Sequence, residues 1–354
     1  INGDFLDPRR RRKLIGAMAA RAFITGTSGL ILTAQEREFL RNERPWGFIL
    51  FRRNVDNPLQ VARLVQDFRE TVEDADAPVL IDQEGGRVQR LNLPHWPVYP
   101  PGAVFGVLYD RDRALGLKAA RLSAQLIAND LADLGITVDC LPLADVPAPG
   151  ADAIIGDRAY GTEPDKVVAI ARAVTEGLEL GGVLPVLKHI PGHGRATADT
   201  HLKLPVVDAS KNDLETVDFA AFKALADLPM AMTAHVVFSA IDATQPATTS
   251  ATIVEQVIRG AIGFQGLLMS DDVSMNALTG SIAERTRAIV SAGCDMVLHC
   301  NGDPAEMRQV AGEAPELSGA ALERAQRALA SRKPPRPFDR EAARAELDAL
   351  TGAV

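Results

Sequence analysis

Short runs of Val, Ile and Leu alternate with longer segments of helical periodicity along the chain. The runs cover Ala22–Gly26, Gly47–Phe51, Pro78–Asp82, Ile136–Leu143, Leu184–His189, Met230–Val237, Gly266–Asp271 and Asp295–Cys300. They are apolar on both faces, which suits buried parallel strands. Between them lie helical patterns. Asn57–Val72 opens with Asn-Pro, a cap and first-turn pair. Arg111–Leu134 reads as one or two helices, and Glu163–Leu180, Leu214–Ala226, Ile253–Ala261 and Ser281–Ala292 follow the same rule. Eight strands with intervening helices predict an α/β fold, a single-domain (β/α)8 TIM barrel. Its core spans about residues 22–302, with C-terminal helices in 303–354. Periodicity does not show closure, so a doubly wound sheet is the alternative. No solenoid repeat is present. Arg332–Pro337 reads as a linker before a last helix, Arg340–Leu350.

Composition narrows the class. Of 354 residues, 47% are hydrophobic and 24% charged, a globular mix that argues against disorder. No window holds the ~20 apolar residues of a membrane span. Lys and Arg number 38 against 46 Asp and Glu, a net charge of −8, whereas a nucleic-acid binder is usually basic. Neither nucleic acid nor a membrane is expected as a partner. Cys140, Cys294 and Cys300 are few, odd in number and set in apolar runs, which points to buried thiols and a reducing, cytoplasmic setting. The chain starts at Ile1 and not Met, as a processed or truncated product would. Arg9–Lys13 followed by Leu14–Ala20 has the outline of an export signal. Its apolar part is short, Ala-rich and interrupted by Arg21, so an amphipathic first helix with a solvated basic start is the better reading.

Polar residues gather at the C-terminal ends of the predicted strands, where a barrel carries its active site. The third strand ends in Asp82-Gln83-Glu84-Gly85-Gly86-Arg87-Val88-Gln89-Arg90. The fifth ends in Lys188-His189-Ile190-Pro191-Gly192-His193-Gly194 and continues to Asp199-Thr200-His201. The sixth ends at His235, the seventh at Ser270-Asp271-Asp272, and Gly156-Asp157-Arg158 precedes the fifth. One charged strand end is often a cap or an ion pair, but five that converge define a catalytic or binding site. Asp272 can cap the next segment, Val273–Leu278, while Asp271 faces the barrel mouth as nucleophile or transition-state stabiliser. Asp199 and His201 are i and i+2, which share a face in extended chain, so the carboxylate can orient the imidazole for acid/base work. Taken alone, that pair reads more readily as part of a polar loop. A metal site is not expected, because Pro191, Gly192 and Gly194 deny His189 and His193 helical spacing and no Cys ligand or H-E-x-x-H is present. Pro191–Gly194 is glycine-rich but lacks the spacing of a phosphate loop.

These motifs resemble family 3 glycoside hydrolases, specifically the single-domain bacterial β-N-acetylglucosaminidases of peptidoglycan recycling. The resemblance runs from Phe23 to about Asn301. Gly47–Phe51 with Arg53-Asn54, Ile81–Arg90, Ile155–Tyr160, Lys188–Gly194 with Asp199-Thr200-His201, and Ser270–Met275 carry it. It implies Asp271 as nucleophile, His201 as acid/base and Asp199 orienting His201. Asp82, Arg90, Arg158, Lys188 and His189 would bind N-acetylglucosamine. It further implies a retaining mechanism through a covalent glycosyl-enzyme. The expected partner is a small muropeptide or disaccharide, N-acetylglucosaminyl-β-1,4-anhydro-N-acetylmuramic acid with or without peptide. No cofactor is implied, and relatives of this length are often monomers. Ile190 stands where relatives have an aromatic, Thr200 where they have Ser, and Ala234–Ser239 departs from their Ser-His and Tyr-Pro. A sugar phosphorylase on the same fold, a non-catalytic muropeptide-binding protein and a zinc amidohydrolase barrel are the rival readings.

Overall fold

A computed structural model describes residues 20–196 and 204–352. The helix expected before Ala20 lies outside these residues. The eight apolar runs all contribute to one parallel sheet. Its strands are β1 (Arg21–Thr25), β2 (Pro45–Leu50), β3 (Val79–Ile81), β4 (Val138–Asp139), β5 (Leu184–Pro185 and, after Val186, Leu187–Ile190), β6 (Met230–Thr233), β7 (Leu267–Asp272) and β8 (Met296–His299). Sheet neighbours run β5-β4-β3-β2-β1-β8-β7-β6-β5. The first part of β5 pairs with β4 and the second with β6, while the Val186 N–H between them donates to Asp139 and Leu141 carbonyls at 3.1 and 2.7 Å. The sheet is therefore a (β/α)8 barrel, and the doubly wound alternative is excluded.

Each strand places alternate residues in two different cores. Ile24, Ile49, Leu80, Val138, Met269 and Leu298 point into the barrel. Phe23, Phe48, Val79, Ile81, Leu268 and Val297 point outward beneath the helices. Both faces are buried, which is why the runs read as continuously apolar. Helix Gly319–Ala330 turns Ala325 and Ala328 into the inner cluster and closes the barrel floor.

The helices begin at local signals. Asn57 accepts the Gln60 N–H ahead of Pro58, and Ser281 with Glu284 forms a capping box ahead of Ile282–Ala292. Arg111–Leu134 is filled by one helix, Arg113–Asp133, capped by the Asp112 carboxylate, while a separate helix, Gly102–Arg111, ends just before it. Other helical expectations differ in detail. Ile253–Ala261 winds as a π-helix, and Leu214–Ala226 is built from Lys211–Asp213, a π turn at Leu214–Asp218 and Phe219–Ala224. Val273–Leu278 forms turns and not a helix. Helix Ala34–Glu43 was not anticipated, although Thr33 and Glu36 form its capping box. Arg332–Pro337 is pinned as a strap, with Arg332 donating to the Gly182 carbonyl and the Arg336 N–H to that of Leu180. No helix among the described residues is long and apolar enough to cross a membrane.

Asp295, just before β8, ties the floor to the barrel wall. Its carboxylate accepts from the Leu268 N–H at 2.9 Å, Arg259 at 2.8 Å and Arg324 at 2.8 Å. Removing a buried carboxylate that satisfies two guanidinium groups costs roughly 3–5 kcal/mol. Asp295→Ala should lower stability by that amount in urea unfolding; an unchanged midpoint would refute the tie.

Candidate active site

The mouth of the barrel holds a cavity of about 250 Å³. That is near the lower end of small-molecule sites, about 300–1,000 Å³, and suits one sugar ring. Asp82, Glu84, Arg90, Arg158, Lys188, His189, His193 and Asp271 line it with Phe51, Met232 and Met275. Asp82 directly follows β3, and Gln83–Gly85 with Val88–Gln89 forms a small hairpin carrying Glu84 and Arg90. Gly85 and Gly86 turn it at φ +93° and +53°, and a side chain at Gly85 would meet the Pro100 carbonyl at 2.4 Å. The Gln83 side chain accepts the Arg90 and Leu91 N–H groups at 2.8 and 3.0 Å, fixing where Arg90 departs.

Lys188 is the centre of the electrostatics. It is 1% exposed, and its ammonium lies 3.0 Å from Asp82 and 2.5 Å from Glu84. Arg90 reaches the other Asp82 oxygen at 3.1 Å, and Arg158 grips Glu84 bidentately at 2.8 and 2.9 Å. Burial alone would raise both carboxyls, but the cations overcome it. Lys188, then Arg90, hold Asp82 far below the carboxylate range, and Arg158, then Lys188, bring Glu84 down to about 2. Burial would lower Lys188, yet Asp82 and Glu84 push it above its usual value.

Two further carboxyls sit behind this network. Asp139 is fully buried. One oxygen accepts the Gln83 N–H at 3.0 Å, the other has no partner among the described residues, and burial raises its pKa well above normal. Asp145, just past β4, meets His189 Nδ1 at 2.7 Å and accepts the His193 N–H at 2.6 Å. The turn carrying His193 comes in close enough that a side chain at Gly194 would meet the Val146 carbonyl at 2.0 Å. Burial, then the neighbouring His189, pushes His193 down to about 4, so its ring is neutral near pH 7.

Asp271, next to last in β7, has a different setting. Its Oδ1 accepts the N–H of Asp272 at 2.8 Å, and no cation among the described residues pairs with it. Asp272 anchors the strand end: its carboxylate accepts the Ser274 and Cys300 N–H groups at 3.1 Å each, and its carbonyl lies 2.9 Å from His235 Nε2. Asp272 thus organises a turn, not the helix start expected of it. His235, directed at Asp272 and Thr248, supports the strand end from behind the cavity.

The cavity therefore unites six of the residues singled out in the sequence: Asp82, Arg90, Arg158, Lys188, His189 and Asp271. Asp199 and His201 lie outside the described residues. Glu84, Asp139 and Asp145 were not singled out. Glu84 lies within the polar segment Asp82–Arg90, and Asp145 follows the fourth apolar run by two residues. Among the described residues no three His, Cys, Asp or Glu side chains are placed to hold a metal ion.

The mouth of this barrel sets Asp271, which has no cationic partner among the described residues, against a ring of fixed cations and carboxylates. Residues 20–331 match the glycosyl hydrolase family 3 N-terminal domain, and the chain belongs to that family. The beta-hexosaminidase of Alkalilimnicola ehrlichii is 39% identical over 280 residues, 78% of this chain and 79% of that protein. That of Bordetella avium is 37% identical over 276 residues, 76% and 77% of the two chains. NagZ from Neisseria gonorrhoeae in complex with N-trifluoroacetyl-D-glucosamine superposes with a TM-score of 0.82 at 30% identity, covering 96% of this chain and 98% of that one. The chain is a glycoside hydrolase of the β-N-acetylhexosaminidase group.

The depressed carboxyls give the network a defined pH window. Ordinary carboxyls titrate near about 4. Stability from Asp82 and Glu84 is thus complete above that pH and is lost as pH falls toward the folded values, about 2 for Glu84. Lys188→Met leaves both carboxylates buried with one cation fewer. Its acid-unfolding midpoint, followed by circular dichroism, should move to higher pH than that of the wild type; coincident midpoints would contradict the network.

Proposed function

We propose that the enzyme removes non-reducing terminal β-1,4-linked N-acetylglucosamine from peptidoglycan fragments with retention of configuration. The observation that carries this reading is the contrast among the cavity carboxylates. Asp82 and Glu84 are committed to cations, while Asp271 has no cationic partner among the described residues. A carboxylate at the barrel mouth with no cationic partner among the described residues is suited to attack an anomeric carbon.

In this mechanism Asp271 displaces the aglycone through an oxocarbenium-like transition state and forms a covalent glycosyl-enzyme. His201, oriented by Asp199, protonates the departing oxygen and then deprotonates the water that hydrolyses the intermediate. The roles of these two residues rest on the motif Asp199-Thr200-His201. A histidine, with an unperturbed pKa near about 6.5, serves as both acid and base near neutrality. Asp82, Arg90, Arg158, Lys188 and His189 hold the sugar hydroxyls in a preformed frame, and contacts that tighten in the transition state lower the barrier. The acetamido sugar is supported by the N-trifluoroacetyl-D-glucosamine held by the Neisseria gonorrhoeae protein. The muropeptide aglycone, a monomeric single-domain enzyme and a cytoplasmic location follow the family resemblance, and the three free, buried thiols are consistent with a reducing compartment.

Release of nitrophenol from 4-nitrophenyl N-acetyl-β-D-glucosaminide tests the reading, beside the corresponding β-glucoside and with and without phosphate. The acetamido sugar should be the one turned over, with N-acetylglucosamine as product in either buffer. Asp271→Ala should reduce kcat by at least about 10³-fold; a fully active variant would exclude Asp271 as nucleophile. His201→Ala should impair natural disaccharides far more than activated aryl glycosides, and equal losses would argue against an acid role. GlcNAc-anhydroMurNAc with and without peptide then tests the aglycone, and the anomer released, read by proton NMR, tests retention.

A further inference from the structure

Asp145 is buried in the segment that follows the fourth strand, and each of its oxygens has a distinct task. Oδ1 lies 2.6 Å from the backbone N of His193, and Oδ2 lies 2.7 Å from His189 Nδ1. The backbone holds this arrangement in register: the Ala144 N–H donates to the Lys188 carbonyl at 2.7 Å, beside His189. Burial would raise the Asp145 carboxyl, but His189 brings it below its usual value, so it is ionised. An ionised carboxylate only accepts hydrogen bonds, so His189 Nδ1 must carry the proton. A neutral His189 then has a bare Nε2, and His189 lines the cavity.

The geometry points to Asp145 as a positioning residue that makes His189 a hydrogen-bond acceptor toward a sugar hydroxyl. This rests on the reading of the cavity as the sugar site. The pairing matters because Lys188, Arg90 and Arg158 are donors only. Asp82 and Glu84 are largely occupied by those cations. A bare Nε2 adds an uncharged acceptor to this cation-lined wall, beside carboxylate oxygens already engaged by the cations.

Asp145→Asn separates tautomer from shape. The His193 N–H still requires an acceptor, so the Asn oxygen takes the Oδ1 position and its NH2 turns to His189 Nδ1. His189 is thereby driven to the other tautomer, with Nε2 protonated and donating.

Full-length protein labelled with ¹⁵N-histidine, studied by NMR at pH 8, reads this directly, with the His189 signals assigned from their loss in His189→Gln. Wild type should show Nδ1 protonated and Nε2 bare, and Asp145→Asn should show the reverse. kcat/KM for 4-nitrophenyl N-acetyl-β-D-glucosaminide should fall about 10- to 100-fold in Asp145→Asn, mostly through KM, as expected for a lost hydrogen bond involving a charged or mismatched partner. A protonated Nε2 in the wild type overturns the inference, and that spectrum is decisive even if the variant fails to fold. A reversed tautomer with kcat/KM within about twofold of wild type also overturns it. Wild type that turned over no glycoside would instead remove the sugar-site reading, while the spectrum would still show whether Asp145 sets the tautomer.

Discussion

A lysine ammonium sealed inside the barrel mouth is the constraint around which the site is arranged. Lys188 is almost wholly buried, so two carboxylates come to its ammonium, and each of these also pairs with a second cation. Asp82 therefore brings Arg90, and Glu84 brings Arg158. The hairpin after β3, the short turn at Gly156–Arg158 and the second half of β5 are held together by this chain of charges. Hydroxyl-rich ligands gain from such an arrangement because its dipoles are oriented before the ligand arrives.

The same side-chain chemistry is put to different uses by its surroundings. Asp82 and Glu84 are ionised and committed to cations. Asp139, buried and with one oxygen unpartnered among the described residues, is pushed toward its neutral form. Asp145 is ionised and directs two segments of the β5 loop, and Asp271 retains oxygen capacity facing the cavity. A carboxylate in a barrel mouth is thus assigned by its partners, and proximity to the cavity alone would not separate these groups.

Much of this was legible in the sequence because strands buried on both faces leave an unmistakable apolar signature, and their polar C-terminal ends mark the mouth. Asp82, Arg90, Arg158 and Lys188 were found for the same reason: each lies at the end of a run or in a Gly-rich turn, whereas their partner Glu84 was passed over. Asp145 was harder, since β4 contributes only Val138–Asp139 to the ladder and the chain beyond contains Pro142, so the polar end was displaced from the visible strand. Helix Ala34–Glu43 was missed because few of its residues are apolar, although Thr33 and Glu36 held the capping signal. Val273–Leu278 misled because an Asp before such a segment suits a helix cap, whereas Asp272 spends its oxygens on Ser274 and the neighbouring strand at Cys300.

The first strand has another consequence. β1 is hydrogen-bonded on one side to β8, the Ala22 N–H donates to the Pro315 carbonyl, and the Leu317 N–H returns to Ala20. The first strand thus finds half of its partners only after the eighth strand and the start of the floor helix have been made. Until then an apolar strand edge is left unmatched. Ring closure makes assembly dependent on contacts between distant parts of the chain, which slows it and prolongs the exposure of aggregation-prone intermediates. The catalytic mouth is therefore a late product of biogenesis: it takes shape only when the two ends of the barrel meet.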